Sequence, residues 1–392
     1  MTGPFKKMTG NAYARQALLP GGFRDVLAPA ADYEYSAVRQ LLKVFGHYGY
    51  DRVSPPLVEY EDSLLTGPGS THANQMFRLM DTDTQKVMAV RADMTVQMSR
   101  LAATRLQNAP RPLRLAYAGN VLRVKGSQLR PARQFMQVGF ELIGSDALEA
   151  ELEVIKIAVE ALESVGIRDL SIDLTVAPFI RELLTAFDLE GDDLAQTVSA
   201  LSAKDAHGFD ALPDKAATIF SALISAAGSA REALSVIEGL TLPKKTGTLI
   251  KRVRSLVDAI EESMPSVAVT FDPSETHGFE YKTGIGFAIF ARGSNTELGR
   301  GGRYHVDHPD IDAEEATGFS VYMDTLMSAL PAPKSGKKLF IPVATPAEMV
   351  KRLHSDGWRT IQGLTETADA SKEARRLLCS HIYLNGSIQP LD

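Results

Sequence analysis

A single cysteine, Cys379, is the only thiol in this 392-residue chain. Neither a disulfide framework nor a thiolate zinc cage can be built within it, which fits a reducing compartment. Basic charge is also short: Lys and Arg number 42 against 48 Asp and Glu, for a formal charge of -6. Phosphate binding needs clustered cations, so a large nucleic-acid footprint is not expected. No stretch approaches the ~20 uninterrupted apolar residues that span a bilayer, and the opening MTGPFKKMTGNAYARQ lacks the apolar core of a secretory signal. A cytoplasmic protein without a membrane partner is expected. His/Cys ligand spacings, a nucleophile elbow, a Walker sequence and a dinucleotide fingerprint are all missing, so the sequence predicts no metal, no cofactor and no catalytic residue.

What is present is a globular composition, 44% hydrophobic and 23% charged, with length for two or three packed units. After a polar arm over residues 1–18, apolar spacing predicts a helix from Ala31 to Tyr48 with Tyr35, Val38, Leu41, Leu42 and Phe45 as its buried stripe. Pro55 and Pro56 keep the next segment extended and suit an edge or interface strand. Met76 to Met98 reads as strand, polar turn, strand and helix start. Strands follow at Arg114–Val124 and Arg133–Ile143, then a helix at Asp146–Val165. Residues 177–266 read as a mostly helical insertion. Beyond it come strands at Val267–Phe271 and Ile285–Ala291, a tight turn at Gly299–Tyr304 and a helix from Ala313 or Thr317 to Leu330. Residues 331–337 form a linker and 338–392 a small α/β module. The expected class is α+β: an antiparallel sheet flanked by helices over residues 19–330, carrying the helical insertion and the C-terminal module.

The strand at 133–144 (RQFMQVGFELIG) suggests where a ligand sits. Arg133, Gln137 and Glu141 share one face, with Gly139 between the last two. Such a face is a polar pocket floor or, equally, the wetted side of a sheet. Asp93, just before a helix, fits an N-cap first and a partner for an amino group second, with Thr95 in the same turn. Arg123, at a strand end, offers a planar donor fork for a carboxylate or phosphate, although such arginines commonly reach into solvent. His277, Glu280, Tyr281 and Lys282 crowd one glycine-bounded turn.

These motifs resemble a known family in chain order. Residues 55–60 (PPLVEY) are similar to motif 1 of class II aminoacyl-tRNA synthetases, 117–123 (YAGNVLR) with 133–144 to motif 2 as histidyl-tRNA synthetases write it, and 318–326 (GFSVYMDTL) to motif 3. The resemblance covers Leu19 to Leu330. It implies a class II synthetase-like fold and a histidine pocket made by Asp93, Thr95, Arg123, Gln137, Glu141, His277, Tyr281 and Lys282. Departures matter as much. The arginine opening the family's RGLDYY segment is His277, its second tyrosine is Lys282, the motif 3 arginine is Thr325, and the motif 2 glutamate after Arg123 is Lys125. Adenylation depends on cations at the reacting phosphates, and losing one such donor typically costs about 2.7–4 kcal/mol.

A synthetase-like core without those arginines, followed by a short tail that is not conspicuously basic, resembles the regulatory subunits of short-form ATP phosphoribosyltransferase. That resemblance implies a separate catalytic subunit as partner, a homodimer through motif 1, histidine as effector, feedback control of histidine biosynthesis, and no tRNA. The alternatives are a divergent histidyl-tRNA synthetase or amino-acid adenylating enzyme, and a synthetase-like scaffold or sensor.

Overall fold

Buried residues at three- and four-residue spacing, Ala37, Val38, Leu41, Val44 and Phe45, define helix α1 (Ala30–His47). Tyr35, expected on that stripe, is 66% exposed. At ~100° per residue it lies roughly 120° from the stripe's centre. The computed structural model describes residues 18–65, 73–127, 130–276, 282–292, 296–307, 312–333 and 336–391. They fall into two units, residues 18–25 with 34–331, and 26–33 with 332–391.

The first unit is built on a nine-stranded sheet. Its central strands are β5 (Leu113–Leu122), β6 (Gln134–Ile143), β7 (Leu170–Val176), β10 (Lys282–Ala291), β11 (Gly299–Val306) and β12 (Glu314–Tyr322). They run in the order β5-β6-β12-β11-β10-β7 and all neighbouring pairs in this run are antiparallel. Short β1 (Asp51–Arg52) closes one edge, with β9 (Ala268–Asp272) and β8 (Gly228–Ser229) at the other. Alternation divides the faces. Phe140 of β6 and Phe319 of β12 join Phe45 and Tyr50 on one side, Phe140 lying 4.5 Å from Phe45 between ring centroids. Gln137 and Glu141 point to the other.

Two expected elements differ. Residues 299–304 are not a tight turn but the start of β11, because their glycines answer lateral packing: a Cβ on Gly301 would overlap the Phe287 ring and the Gly318 carbonyl. The helix expected from residue 313 or 317 is strand β12 until Tyr322, and only α10 (Met323–Ala329) is helical. Ala316 to Tyr322 are all buried, so this strand has no alternation to read.

Between β7 and β9 lie helices α5 (Ala177–Ala186), α6 (Gly191–Ala203), α7 (Asp214–Ala226), α8 (Ala230–Glu238) and α9 (Lys244–Ser263), while α4 (Leu148–Ser164) precedes β7. A three-stranded sheet, β2 (Val58–Tyr60), β4 (Val87–Val90) and β3 (Arg78–Met80), sits with α2 (Glu61–Leu64) and leads into α3 (Thr95–Ala103). Buried Arg91 joins this region to the main sheet, donating to Asn120 O at 2.8 Å and Pro55 O at 3.1 Å. In the second unit, β13 (Lys338–Ile341) pairs in parallel with β14 (Arg359–Gln362) and β15 (His381–Leu384), and β16 (Ser387–Pro390) adds antiparallel. Helices α11 (Ala347–Ser355) and α12 (Ala370–Arg376) connect them. Among the described residues no helix is long and apolar enough to cross a membrane.

Candidate ligand-binding site

Gln137 and Glu141 are 0% and 1% exposed, so the polar face of β6 is a pocket wall and not a wetted surface. Over it lies a cavity whose lining includes Asp93, Thr95, Glu141, Lys282, Tyr304 and Ser320.

Glu141 is its chemical centre. Tyr117 OH donates to Oε1 and Tyr304 OH to Oε2, each at 3.0 Å. Gly318 faces Glu141 across the β6–β12 pair, and a Cβ there would overlap the carboxylate. Burial pushes the Glu141 carboxyl up to about 8 despite the two phenol hydrogen bonds. At neutral pH it is mostly a buried acid, able to give its proton to a basic nitrogen and remain as that nitrogen's counter-ion.

The wall behind is fixed in one hydrogen-bonding sense. Met94 N–H donates to Gln137 Oε1 at 2.9 Å, which aims the amide nitrogen at Asp93 Oδ2 (3.1 Å) and Ser320 Oγ (2.8 Å). Ser320 Oγ lies 2.9 Å from Tyr117 OH. Because Tyr117 donates to Glu141, Ser320 donates to Tyr117, and the relay Gln137, Ser320, Tyr117, Glu141 runs one way. Asp93 Oδ1 accepts the Thr95 N–H at 2.7 Å, so this carboxylate serves both the first turn of α3 and the pocket.

Lys282, the first residue of β10, lines the same cavity at 7% exposure, and burial lowers its ammonium to about 8. Arg123 stays beside the cavity, its guanidinium 5.2 Å from the Phe135 ring centroid and Nε 3.4 Å from Ala92 O. His277 and Tyr281 lie outside the described residues. The structure thus brings Asp93, Thr95, Glu141 and Lys282 to the lining of one cavity, with Gln137 behind it, hydrogen-bonded to Asp93 and Ser320. Sequence reasoning missed Tyr117, Tyr304, Ser320 and Gly318; the last three sit on the two strands read as turn and helix, and the pairing of β12 with β6 and of β11 with β12 was the missing signal. At the motif 3 position, Thr325 is buried and turns its hydroxyl to Tyr322 O at 3.0 Å. Among the described residues no group of three His, Cys, Asp or Glu side chains is placed to hold a metal.

An antiparallel sheet with motif 1 extended at its margin, motif 2 as the β5–β6 hairpin and motif 3 as strand then helix defines a class II synthetase-like protein. The histidyl-tRNA synthetase family model matches residues 22–326. An ATP phosphoribosyltransferase regulatory subunit from Paramagnetospirillum magneticum is 45% identical over 368 residues, 94% of this chain and 96% of that protein. One from Rhodospirillum centenum is 44% identical over 375 residues, covering 96% of each. Among solved structures, an ATP phosphoribosyltransferase regulatory subunit/histidyl-tRNA synthetase from Bacillus halodurans superposes with a TM-score of 0.79 at 25% identity, over 96% of this chain and 97% of the other. A Nostoc histidyl-tRNA synthetase, at 16% identity and a TM-score of 0.77 over 95% and 92%, shares the fold. The chain belongs to the family of ATP phosphoribosyltransferase regulatory subunits, within the histidyl-tRNA synthetase-like proteins.

Proposed function

We propose that the chain is the non-catalytic regulatory subunit of ATP phosphoribosyltransferase: a separate short-form catalytic subunit transfers the phosphoribosyl group of phosphoribosyl pyrophosphate to ATP with release of pyrophosphate, committing both to histidine biosynthesis, and histidine in the cavity signals inhibition to it. The observation that carries this reading is the buried Glu141 held by Tyr117 and Tyr304, an imidazole-sized acid–base partner, in a chain whose relatives are named regulatory subunits. Histidine that binds the inhibited assembly more tightly than the active one shifts the balance by its differential affinity, and ~1–3 kcal/mol of coupling is enough for feedback. The test is phosphoribosyl-ATP formation by a short catalytic subunit with and without this chain, each titrated with histidine. Activity should appear only with the chain and fall as histidine rises; activity indifferent to both removes the proposal.

The replaced arginines support the non-catalytic part, since Thr325 is satisfied by its own backbone and brings no charge toward a phosphate. Histidine-dependent ATP–pyrophosphate exchange by the chain alone should be at background, and robust exchange would restore the synthetase reading.

Leu57, Leu79, Met80 and Val87, exposed at 42%, 40%, 56% and 38%, stand on or beside the three-stranded sheet at motif 1. This apolar margin supports homodimerisation there. Leu79→Asp with Met80→Asp should move the chain from dimer to monomer in sedimentation velocity at micromolar concentration; an unchanged dimer would put the interface elsewhere.

A further inference from the structure

Strand register lines up three glycines beneath the cavity. Glu141 of β6 faces Gly318 of β12, Gly318 faces Gly302 of β11, Gly302 faces Gly286 of β10, and Gly286 faces Thr175 of β7. The row is a side-chain-free trough with an ionisable group at each end. At one end the Glu141 carboxylate leans over Gly318. At the other, the Lys282 ammonium folds back over Gly286, where a Cβ would lie 2.5 Å from Nζ and 2.7 Å from Thr175 Oγ1. The β10–β11 register shifts between Lys282 and Gly286, an irregularity that accompanies this return.

Three cations reach the cavity, and two are committed. Arg300 Nε donates to Glu297 at 2.8 Å and Arg303 Nε to Glu151 at 3.0 Å. Among the described residues no hydrogen bond or ion pair holds the Lys282 ammonium, although it is 7% exposed. An ammonium at the wall of a cavity, with little water and no protein partner, is best completed by an anion.

The spacing fixes the ligand's length. Gly318 and Gly286 are two strands apart, ~10 Å at ~4.8 Å per strand. Charge-assisted hydrogen bonds of ~2.8 Å at each end leave roughly 4–5 Å between the ligand's own polar atoms. That is the separation of a carboxylate oxygen and a side-chain nitrogen within one amino acid.

We infer that Lys282 is the carboxylate anchor of the effector site, which takes a single free amino acid laid across β12, β11 and β10 with its side-chain nitrogen on Glu141 and its carboxylate on Lys282. The assignment rests on the amino-acid pocket proposed above and adds the residue that selects for the carboxylate. It makes Lys282, and not Arg123, the group that separates an amino acid from its amine or alcohol.

Calorimetric titration of the full chain tests it, using histidine and histidinol, which carries a hydroxymethyl group in place of the carboxylate, on wild type, Lys282→Met and Lys282→Arg. A hydrogen bond to a charged group sets the expected scale at about 10–100-fold. Wild type should prefer histidine over histidinol by that factor, Lys282→Met should lose the preference by weakening histidine alone, and Lys282→Arg should retain much of it. Equal weakening of both ligands in Lys282→Met, or no weakening, overturns the assignment. The same pairs of other amino acids and their amino alcohols separate the two levels. If wild type ignores histidine but binds another amino acid with a Lys282-dependent carboxylate preference, the anchor stands and the histidine reading falls. If no amino acid binds wild type, both fall.

Discussion

Gly318→Ala should lower the stability of the chain by roughly 2–5 kcal/mol and abolish histidine binding, the largest effect expected of any single methyl group added to the first unit. The added Cβ overlaps the Glu141 carboxylate, which has nowhere to go. The side chain is 1% exposed, Tyr117 and Tyr304 grip its two oxygens at 3.0 Å, and Phe140 and Leu142 beside it on β6 are packed into the opposite face. Displacing the carboxylate breaks both hydrogen bonds and strands two buried phenols, at about 1–3 kcal/mol for each orphaned group. The midpoint of thermal unfolding reports the loss. Gly247→Ala is the control, because nothing lies within 4 Å of a Cβ there and the residue sits inside α9. It should be neutral or gain about 0.5–1 kcal/mol from helix propensity. Adding Glu141→Ala to Gly318→Ala removes the overlap and should recover much of the midpoint without recovering the ligand. A Gly318→Ala chain that melts like wild type and still binds histidine would show that the carboxylate is not held over β12.

The half of the site on β6 was legible from one strand. Period-two alternation put Gln137 and Glu141 together, and resemblance to synthetase motifs attached Asp93, Thr95 and Lys282 to them. The half on β11 and β12 was not. Gly299 to Tyr304 has the composition of a turn, and only the neighbours that press on it, Phe287 and the β12 carbonyls, explain its glycines as strand. Residues 316–322 are buried on both sides, so the signal that separates strand from helix is erased where Ser320 and Gly318 meet Glu141. The trough shares this origin. Three glycines at 286, 302 and 318 are far apart in sequence and become one row only through register. Arg123 shows the converse limit: the motif places it on a strand end correctly, but side-chain packing on Phe135 decides where its charge goes.

Stability without ligand should trace a V against pH, with its minimum near 8, because the two ends of the trough titrate in opposite senses. Glu141 is raised by burial from 4.5 to about 8. Between those values the folded chain keeps a proton that the unfolded chain has released, so stability falls as pH rises, by about 1.4 kcal/mol per unit. Its contribution is whole below the unfolded value and lost as pH passes through the folded one. Lys282 is lowered by burial from 10.5 to about 8. Between those values the unfolded chain holds the extra proton, so stability climbs with pH over that window. Tyr117 and Tyr304 do not blur the minimum, since burial beside Glu141 drives both phenols well above their ordinary range and keeps them neutral. Denaturant midpoints taken from pH 5 to 10 measure the curve. Glu141→Gln should flatten the falling limb alone, and Lys282→Met the rising limb alone. Histidine should fill the minimum: near neutral pH an imidazole can take the Glu141 proton and its carboxylate can face a charged Lys282 without net exchange with solvent. Below ~6.5 the free imidazole is already protonated, so binding must release the Glu141 proton and weakens as pH falls. Above 8 both trough groups have lost their protons, so binding must recover them and weakens as pH rises. A wild-type curve that is flat across 5 to 10, or one that both substitutions change alike, would mean that the two buried charges are not independent ends of one site.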